Sequence, residues 1–561
     1  MKGSRRYIVL GVLLALVLLG KINTWSDDYS QVEAFRGAQL EEQVFYPLKA
    51  RNINATGLAT LTVGDRTYHS RSGDIQVNDN LRLMGSLDLV QELFGASAHL
   101  YEDGKILLER NGDHFRFQTD QVEAARNEDL ILLEDAPFIR EDVCYLPLKD
   151  LCDQFSCSYA WDEAACAATM ESGNADAFLP DRYDLRARDR APEILDQGST
   201  STCWAYAALG ALSSELLPLE KTAYSVEAMT EHNAFGLPVS RGGDYTMAAA
   251  YFLSWDGPRD DRGNVKKHVQ EIQFFDEDDR EAIKWAVYQH GGVSTSIYAD
   301  VNGSNLEKSS YYSKEDNAYC YRGKEDPNHD VVIIGWDDDY GAEHFPGRVP
   351  GDGAFICQNS WGESFGEEGV FYISYYDSNI GTQSAAYTKV ENTDNYDTIY
   401  QSDLCGWVGS LGYNRERILA ANVFESEETQ QIAAAGFYAL GENTTYQVYM
   451  VSDFQDVGSL AGRTPVAAGA VENRGYYTVP FDFPVTVEAG NRFAVVIMLE
   501  TPGSTLPMAV EYISDERTEH ADIADGEGYI SSNGLDWERV EDKAEGNLCL
   551  KAYGRTPAGQ E

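Results

Sequence analysis

The chain has 561 residues, 43% of them hydrophobic, and a formal net charge of −47 at neutral pH. That length suffices for about three or four domains with real cores, and so acidic a surface repels polyanions, which removes nucleic acid from the expected partners. The acidic clusters Asp276 to Asp279 and Asp337 to Asp339 lack the spacing of a calcium loop and read as solvated faces, so neither a metal nor a cofactor is expected.

In chain order, Lys2, Arg5 and Arg6 precede an apolar run from Tyr7 to Gly20, closed by Lys21. This order reads as an export signal or an N-terminal membrane anchor over residues 1–28. The run is shorter than the ~20 residues of a spanning helix, which favours a signal peptide. The lack of a small-x-small cleavage site favours an uncleaved anchor. Either way the expected location is extracytoplasmic, anchored to the cell membrane by a single segment or secreted, with the positive residues left in the cytoplasm.

Residues 29–172 carry a weak internal repeat: LDLVQELFGAS from Leu87 parallels LKDLCDQFSCS from Leu148, and each reads as strand, short helix, hairpin. The stretch YLPLKDLCDQFSCSYAWDEAACAATME resembles the small repeat domain named after the copper amine oxidase N-terminus, although no histidine cluster accompanies it. The resemblance implies an interaction or spacer module; a plain stalk and a mask over a neighbouring cleft are the alternatives. Cys144, Cys152, Cys157 and Cys166 fall here without a zinc signature, and pairing cannot be read from their spacing.

Residues 176–391 hold the chemistry. In QGSTSTCWAYAALGALSSELL the Ala- and Leu-rich run predicts a helix that opens at Cys203. A helix N-terminus favours negative charge and hence the thiolate. Gln197 stands within reach as an amide donor to an oxyanion. His329 heads the apolar run Val331 to Ile334, a buried strand with its first residue at the mouth. Asn359 follows one strand and precedes another, in AFICQNSWGESFGEEGVFYISYYD, with Gly362, Gly366 and Gly369 in the turn. His329 and Asn359 stand 126 and 156 residues after Cys203 (329 − 203 and 359 − 203).

The order Gln197, Cys203, His329, Asn359, each in its local context, resembles the papain-like cysteine peptidases, whose nucleophile lies near the mature N-terminus with His and Asn roughly 130–150 residues downstream. LPDRYDLRARDRAPEILDQG is similar to the start of such a domain, and RGGDYTMAAAYF to its double-glycine wall. The resemblance implies a two-lobed fold, a helical lobe and a β-barrel lobe. It gives Cys203 as nucleophile, Gln197 as oxyanion donor, His329 as acid–base and Asn359 as its orienter. Gly242 and Gly243 would offer backbone to an extended substrate, Asp330 would line the cleft and bias it toward basic side chains, and Trp361 would shield the His–Asn hydrogen bond. Thr200 stands where the family often has a disulfide cysteine.

From Asn392 to the end, segments such as TTYQVYMVSD and RFAVVIMLE alternate in β fashion and predict an antiparallel sandwich. This part resembles the lectin-like domain that accompanies papain-like peptidases in clostridial-type bacteria, which implies a carbohydrate or cell-wall ligand. Trp407 and Trp537, with the many tyrosines, could form a stacking platform, but aromatics in a sandwich are more often core. The expected whole is multidomain α+β: a small α/β repeat domain, a papain-like domain over 176–391, and an all-β sandwich over 392–561. The expected function is cysteine endopeptidase acting on protein or peptide substrates. A catalytically weak surface adhesion scaffold and an acyl-transferring transpeptidase are the alternatives.

Overall fold

Two eight-residue helices, Leu87–Phe94 and Leu148–Phe155, mark the repeat in three dimensions. The strands that feed them, Leu83–Ser86 and Val143–Pro147, pair antiparallel with Tyr145 opposite Ser86. Each helix ends on a left-handed residue, Gly95 and Ser156, and is followed by a hairpin: Ser97–Leu100 with Lys105–Arg110, and Tyr159–Asp162 with Ala167–Met170. Both units drop their apolar side chains into one core around Leu89, Phe94, Leu108, Phe115, Leu148 and Leu151, because a single strand–helix unit has too little apolar surface to fold alone.

This computed structural model describes residues 53–557 apart from 55–56, 65, 277–278 and 301–305. The expected export signal or anchor lies outside the described residues. Among those described, no helix is long and apolar enough to cross a membrane, and all nine cysteines carry free thiols, including the cluster from Cys144 to Cys166.

Among the described residues, no hydrogen bond joins the repeat domain to the Cys203 loop. The repeat domain's contacts with the middle of the chain run to the helix Arg280–His290 and to residues 183–188. There Tyr288 Oη donates to the Glu109 carbonyl at 2.7 Å, Gln289 Nε2 to the Gln91 carbonyl at 3.0 Å, and Arg188 forks onto the Glu109 carboxylate at 2.7 and 2.9 Å. Masking of the cleft by residues 53–172 finds no support in these contacts.

The middle of the chain builds a helical lobe from Cys203–Leu216, Val226–Glu231 and Tyr245–Leu253, and a β lobe whose central strands are His329–Asp337, Ala354–Gln358 and Val370–Ser374. Helix Cys203–Leu216 is nearly apolar all round, as expected of a helix buried between lobes. Gly210 lets it approach: a Cβ there would lie 3.2 Å from Val332 Cγ2.

The β lobe does not stop at the lobe's edge. Lys267–Phe275 pairs with Ser384–Asn392 on one side and with Gly475–Val487 on the other, Glu271 facing Tyr477. Through that strand the peptidase-like sheet runs on into Gln430–Ala439, Leu550–Arg555 and Thr398–Tyr400, thirteen strands in all. A second sheet, built on Thr444–Val451, Arg492–Glu500 and Arg417–Glu425, closes the sandwich over a core that includes Ile432, Phe437, Val448, Phe493, Val495 and Leu550. Trp407 packs at this junction, its ring 6.0 Å from Phe274 and 6.2 Å from Tyr438. It is therefore a junction residue, packed as the core reading expects. Trp537 packs against the smaller cluster of Val496, Leu460 and Phe454.

The junction leaves no room at Gly475, where a Cβ would lie 2.2 Å from the Ile272 carbonyl oxygen. A Gly475→Ala variant must push the two backbones apart, at a cost of about 1–3 kcal/mol. Calorimetry should show melting lowered by several degrees, with the peptidase-like and C-terminal parts moving together, since they share the strand pair.

Candidate active site

Cys203 is the first residue of its helix, and the N-cap Thr202 makes no side-chain capping bond, so the first amides of the helix face the sulfur unshared. Burial pushes the thiol up to about 12 and the Asp330 carboxylate adds to this, while hydrogen bonds from the backbone amides of Asp330, Trp204 and Cys203 itself pull it down. The Asp330 amide places the sulfur against the 329–330 peptide.

His329 opens the strand His329–Asp337, and its Nε2 lies 2.8 Å from Asn359 Oδ1. The same Oδ1 accepts from the Ser360 backbone amide at 2.8 Å. A backbone amide can only donate, so the atom facing it is the oxygen, and His329 must hold its proton on Nε2. Nδ1 is then left as a base. Trp361 stacks on the imidazole, centroids 4.6 Å apart and planes at 23°, and is itself braced edge-on by Phe365 at 5.1 Å. Burial pulls the imidazole down to about 4, opposed by the Asn359 hydrogen bond.

Both shifts are costs of creating a lone charge in a dry place. Moving the proton from sulfur to Nδ1 creates the two charges together and leaves the number of bound protons unchanged, so the pair titrates as a unit. At this depth desolvation outweighs the help of the helix terminus, in keeping with the expectation that a thiolate here also needs an imidazolium partner.

Gln197 is fastened on three sides. Its amide N–H donates to the Ser360 carbonyl at 2.8 Å, its Oε1 accepts from Ser360 Oγ at 2.6 Å, and one proton of Nε2 goes to the Thr200 carbonyl at 2.7 Å. The second Nε2 proton is free for an oxyanion. Thr200 Oγ1 donates to the Gln197 carbonyl at 2.7 Å and lies 2.6 Å from Thr202 Oγ1, so hydroxyls knit the loop where the resemblance would have placed a disulfide. Sequence reasoning missed Ser360; its place directly after Asn359 was the available signal.

Gly242 and Gly243 lie along the mouth of the same helix. A Cβ on Gly242 would sit 3.6 Å from the Ser201 carbonyl oxygen, and one on Gly243 2.5 Å from the Trp204 ring. The Asp330 side chain is held by Ser296, whose Oγ donates to it at 2.5 Å. Burial pushes it up to about 7, Ser296 opposing and the Asp244 charge adding. A cavity of about 620 Å³ runs beside the helix, lined by Tyr206, Gly210, Leu217, Val332 and Asn359; Cys203 and His329 do not line it. No group of three or more His, Cys, Asp or Glu side chains among the described residues could hold a metal ion.

Residues 179–390 match the family model for the papain family cysteine proteases. This segment is a papain-family domain. Mouse cathepsin S is 27% identical over 224 residues, which cover 36% of this chain and 60% of that protein. The viral cathepsin of Heliothis zea nuclear polyhedrosis virus is 28% identical over 224 residues, covering 37% of this chain and 56% of that protein. The chain thus spans little more than half the length of these relatives. Flanking the papain-family domain, residues 74–169 match the copper amine oxidase N-terminal domain and residues 399–554 the lectin-like domain. The solved structure of the cysteine protease and lectin-like domains of Cwp84, a surface layer associated protein of Clostridium difficile, superposes with a TM-score of 0.59 at 22% identity. It covers 68% of this chain and 89% of that one. A clostridial Cwp84 structure after propeptide cleavage gives the same TM-score at 23% identity, covering 67% of this chain and 99% of that one. This likeness establishes a shared fold across the papain-family and lectin-like domains.

The burial of His329 carries a stability signature. Its folded value near 4 lies below the ~6.5 of an exposed imidazole. Between those values the unfolded chain binds a proton that the native one refuses, so the native state loses stability as pH falls through that window. Urea unfolding of wild type and His329→Phe at pH 7 and pH 4 should show the wild type losing up to about 3 kcal/mol more than the variant.

Proposed function

We propose that this chain is a cysteine endopeptidase in which Cys203 attacks the peptide carbonyl and His329 moves the proton. The carrying observation is the bond from His329 Nε2 to Asn359 Oδ1, which leaves Nδ1 as the base of the ring, while the neighbouring Asp330 amide holds the Cys203 sulfur. Nδ1 takes the thiol proton, and the thiolate sulfur forms a bond to the carbonyl carbon as the carbonyl π electrons move onto oxygen. The resulting oxyanion accepts from the free proton of Gln197 Nε2 and from the Cys203 backbone amide. Collapse of the intermediate expels the amine, which takes the proton from Nδ1 and leaves a thioester. Water then attacks the thioester, His329 takes its proton, and the carboxylic acid product departs as the thiol re-forms.

Gly242 and Gly243 are the edge on which an extended substrate pairs, with Asp330 and Trp361 on the facing side. Export fits the basic–apolar start of the sequence and the surface-layer association of Cwp84. On this reading residues 1–28 tether or export the chain, 29–172 form a spacer, 176–391 cut peptide bonds, and 392–561 bind a carbohydrate or cell-wall ligand.

The test is intact-mass labelling by an epoxysuccinyl inhibitor together with hydrolysis of unfolded protein substrates. Wild type should take a single adduct, lost in Cys203→Ala and in His329→Ala. Gln197→Ala should keep the adduct while kcat falls by about 10²–10³. A folded wild type that takes no adduct and cleaves nothing would overturn the reading in favour of a surface scaffold.

A further inference from the structure

The papain-family domain's double-glycine edge is held by a residue of the C-terminal domain. Asp244 follows Gly243 and caps the next helix, its Oδ1 accepting from the Thr246 and Met247 amides at 2.9 and 3.1 Å. Its other oxygen, Oδ2, accepts from Arg517 Nη1 in a close ion pair, 273 residues away in sequence. Arg517 belongs to a loop of the lectin-like domain that lies along this wall at two further points. Glu516 pairs with Arg241 at 2.8 Å, and the His520 ring lies against Gly236, where a Cβ would come within 2.2 Å of it. The loop itself is pinned by turns at Asp515 and Thr518.

Asp244 also acts across the cleft. Its charge reaches the Asp330 carboxyl on the opposite wall, whose own backbone amide touches the Cys203 sulfur. Two carboxyl groups therefore flank the space beside the nucleophile, one on the helical lobe and one on the β lobe. The Asp330 side is held by neutral Ser296. The Asp244 side carries a cation, Arg517, supplied by another domain.

We propose that the lectin-like domain sets the charge preference of the papain-family cleft, with Arg517 as a positioning residue that neutralises Asp244 and leaves Asp330 as the anchor for a basic substrate side chain. The inference rests on the peptidase reading above. An Arg517-neutralised rim presents one acidic group to the substrate; removing that cation presents two, and a Lys or Arg side chain gains where a neutral or acidic one loses. The C-terminal domain is then part of the enzyme's specificity and more than a device for attachment.

The experiment uses the full chain and a fluorogenic peptide library that places Lys, Leu or Glu at each position on the N-terminal side of the scissile bond. Three variants are compared with wild type: Arg517→Met, which keeps the stem and removes the charge, Arg517→Lys, which keeps the charge, and Asp330→Asn. At the position that faces this wall, the ratio of kcat/KM for Lys over Leu should rise about fivefold in Arg517→Met, mostly through KM. Arg517→Lys should restore the wild-type ratio, and Asp330→Asn should lower it below wild type. A merely structural role would lower both substrates alike and leave the ratio unmoved. Cleavage by wild type with an unchanged ratio in Arg517→Met, or equal shifts in the Met and Lys variants, overturns this inference alone. No cleavage by folded wild type overturns the peptidase reading and this inference with it.

Discussion

The Oδ1 of Asn359 has two donors and can serve them only as a carbonyl. That constraint fixes the rest of the site. The Ser360 amide decides which end of the carboxamide is oxygen, the oxygen decides which imidazole nitrogen carries the proton, and the remaining nitrogen is left as the base of the ring. Trp361 covers the bond and keeps it dry, which strengthens it and also raises the cost of any single charge. A site this buried gains nothing from an isolated thiolate or an isolated imidazolium, so the chemistry belongs to the pair.

Around that bond the architecture is a matter of edges. His329 and Asn359 sit at the ends of neighbouring strands, and the sheet that carries them is extended by Lys267–Phe275 into the C-terminal sandwich. Main-chain pairing across this strand sets the register of the two domains to one residue. The same register brings the loop with Arg517 to the rim of the double-glycine wall. The repeat domain, by contrast, is joined through side chains: Arg188 forks onto the Glu109 carboxylate, and Tyr288 and Gln289 of the helix Arg280–His290 donate to its backbone carbonyls.

Much of this was legible in the residues. The helix at Cys203 is written in local composition, the strand at His329 in its β-branched run, and the turn after Asn359 in glycines whose backbones do adopt positive φ, as at Gly366 and Gly369. The repeat was visible because both copies keep their apolar spacing over helices of equal length. What escaped was non-local or carried by the main chain. Pairing of Glu271 with Tyr477 has no residue-type signature, since amides and carbonyls are common to all residues. Nothing near Asp244 announces a partner at position 517, and Ser296 beneath Asp330 is one of many serines until the fold places it. For Trp407 both a platform and core packing were open, because exposure cannot be read from an aromatic alone; its packing on Phe274 and Tyr438 follows the core reading. The depth of Cys203 was hidden for the same reason: a helix N-terminus is legible in sequence, its solvent is not.

The measurement that bears most directly on this account is the pH dependence of Cys203 alkylation by iodoacetamide, in wild type and in Asn359→Ala. A sulfur that shares its proton with His329 reacts on a plateau that begins near the imidazole's depressed value, about 4, and extends through neutrality; loss of the Asn359 carbonyl shifts and weakens that plateau. A wild-type thiol that is inert at pH 7 and gains reactivity only toward its lone buried value of about 12 would contradict it.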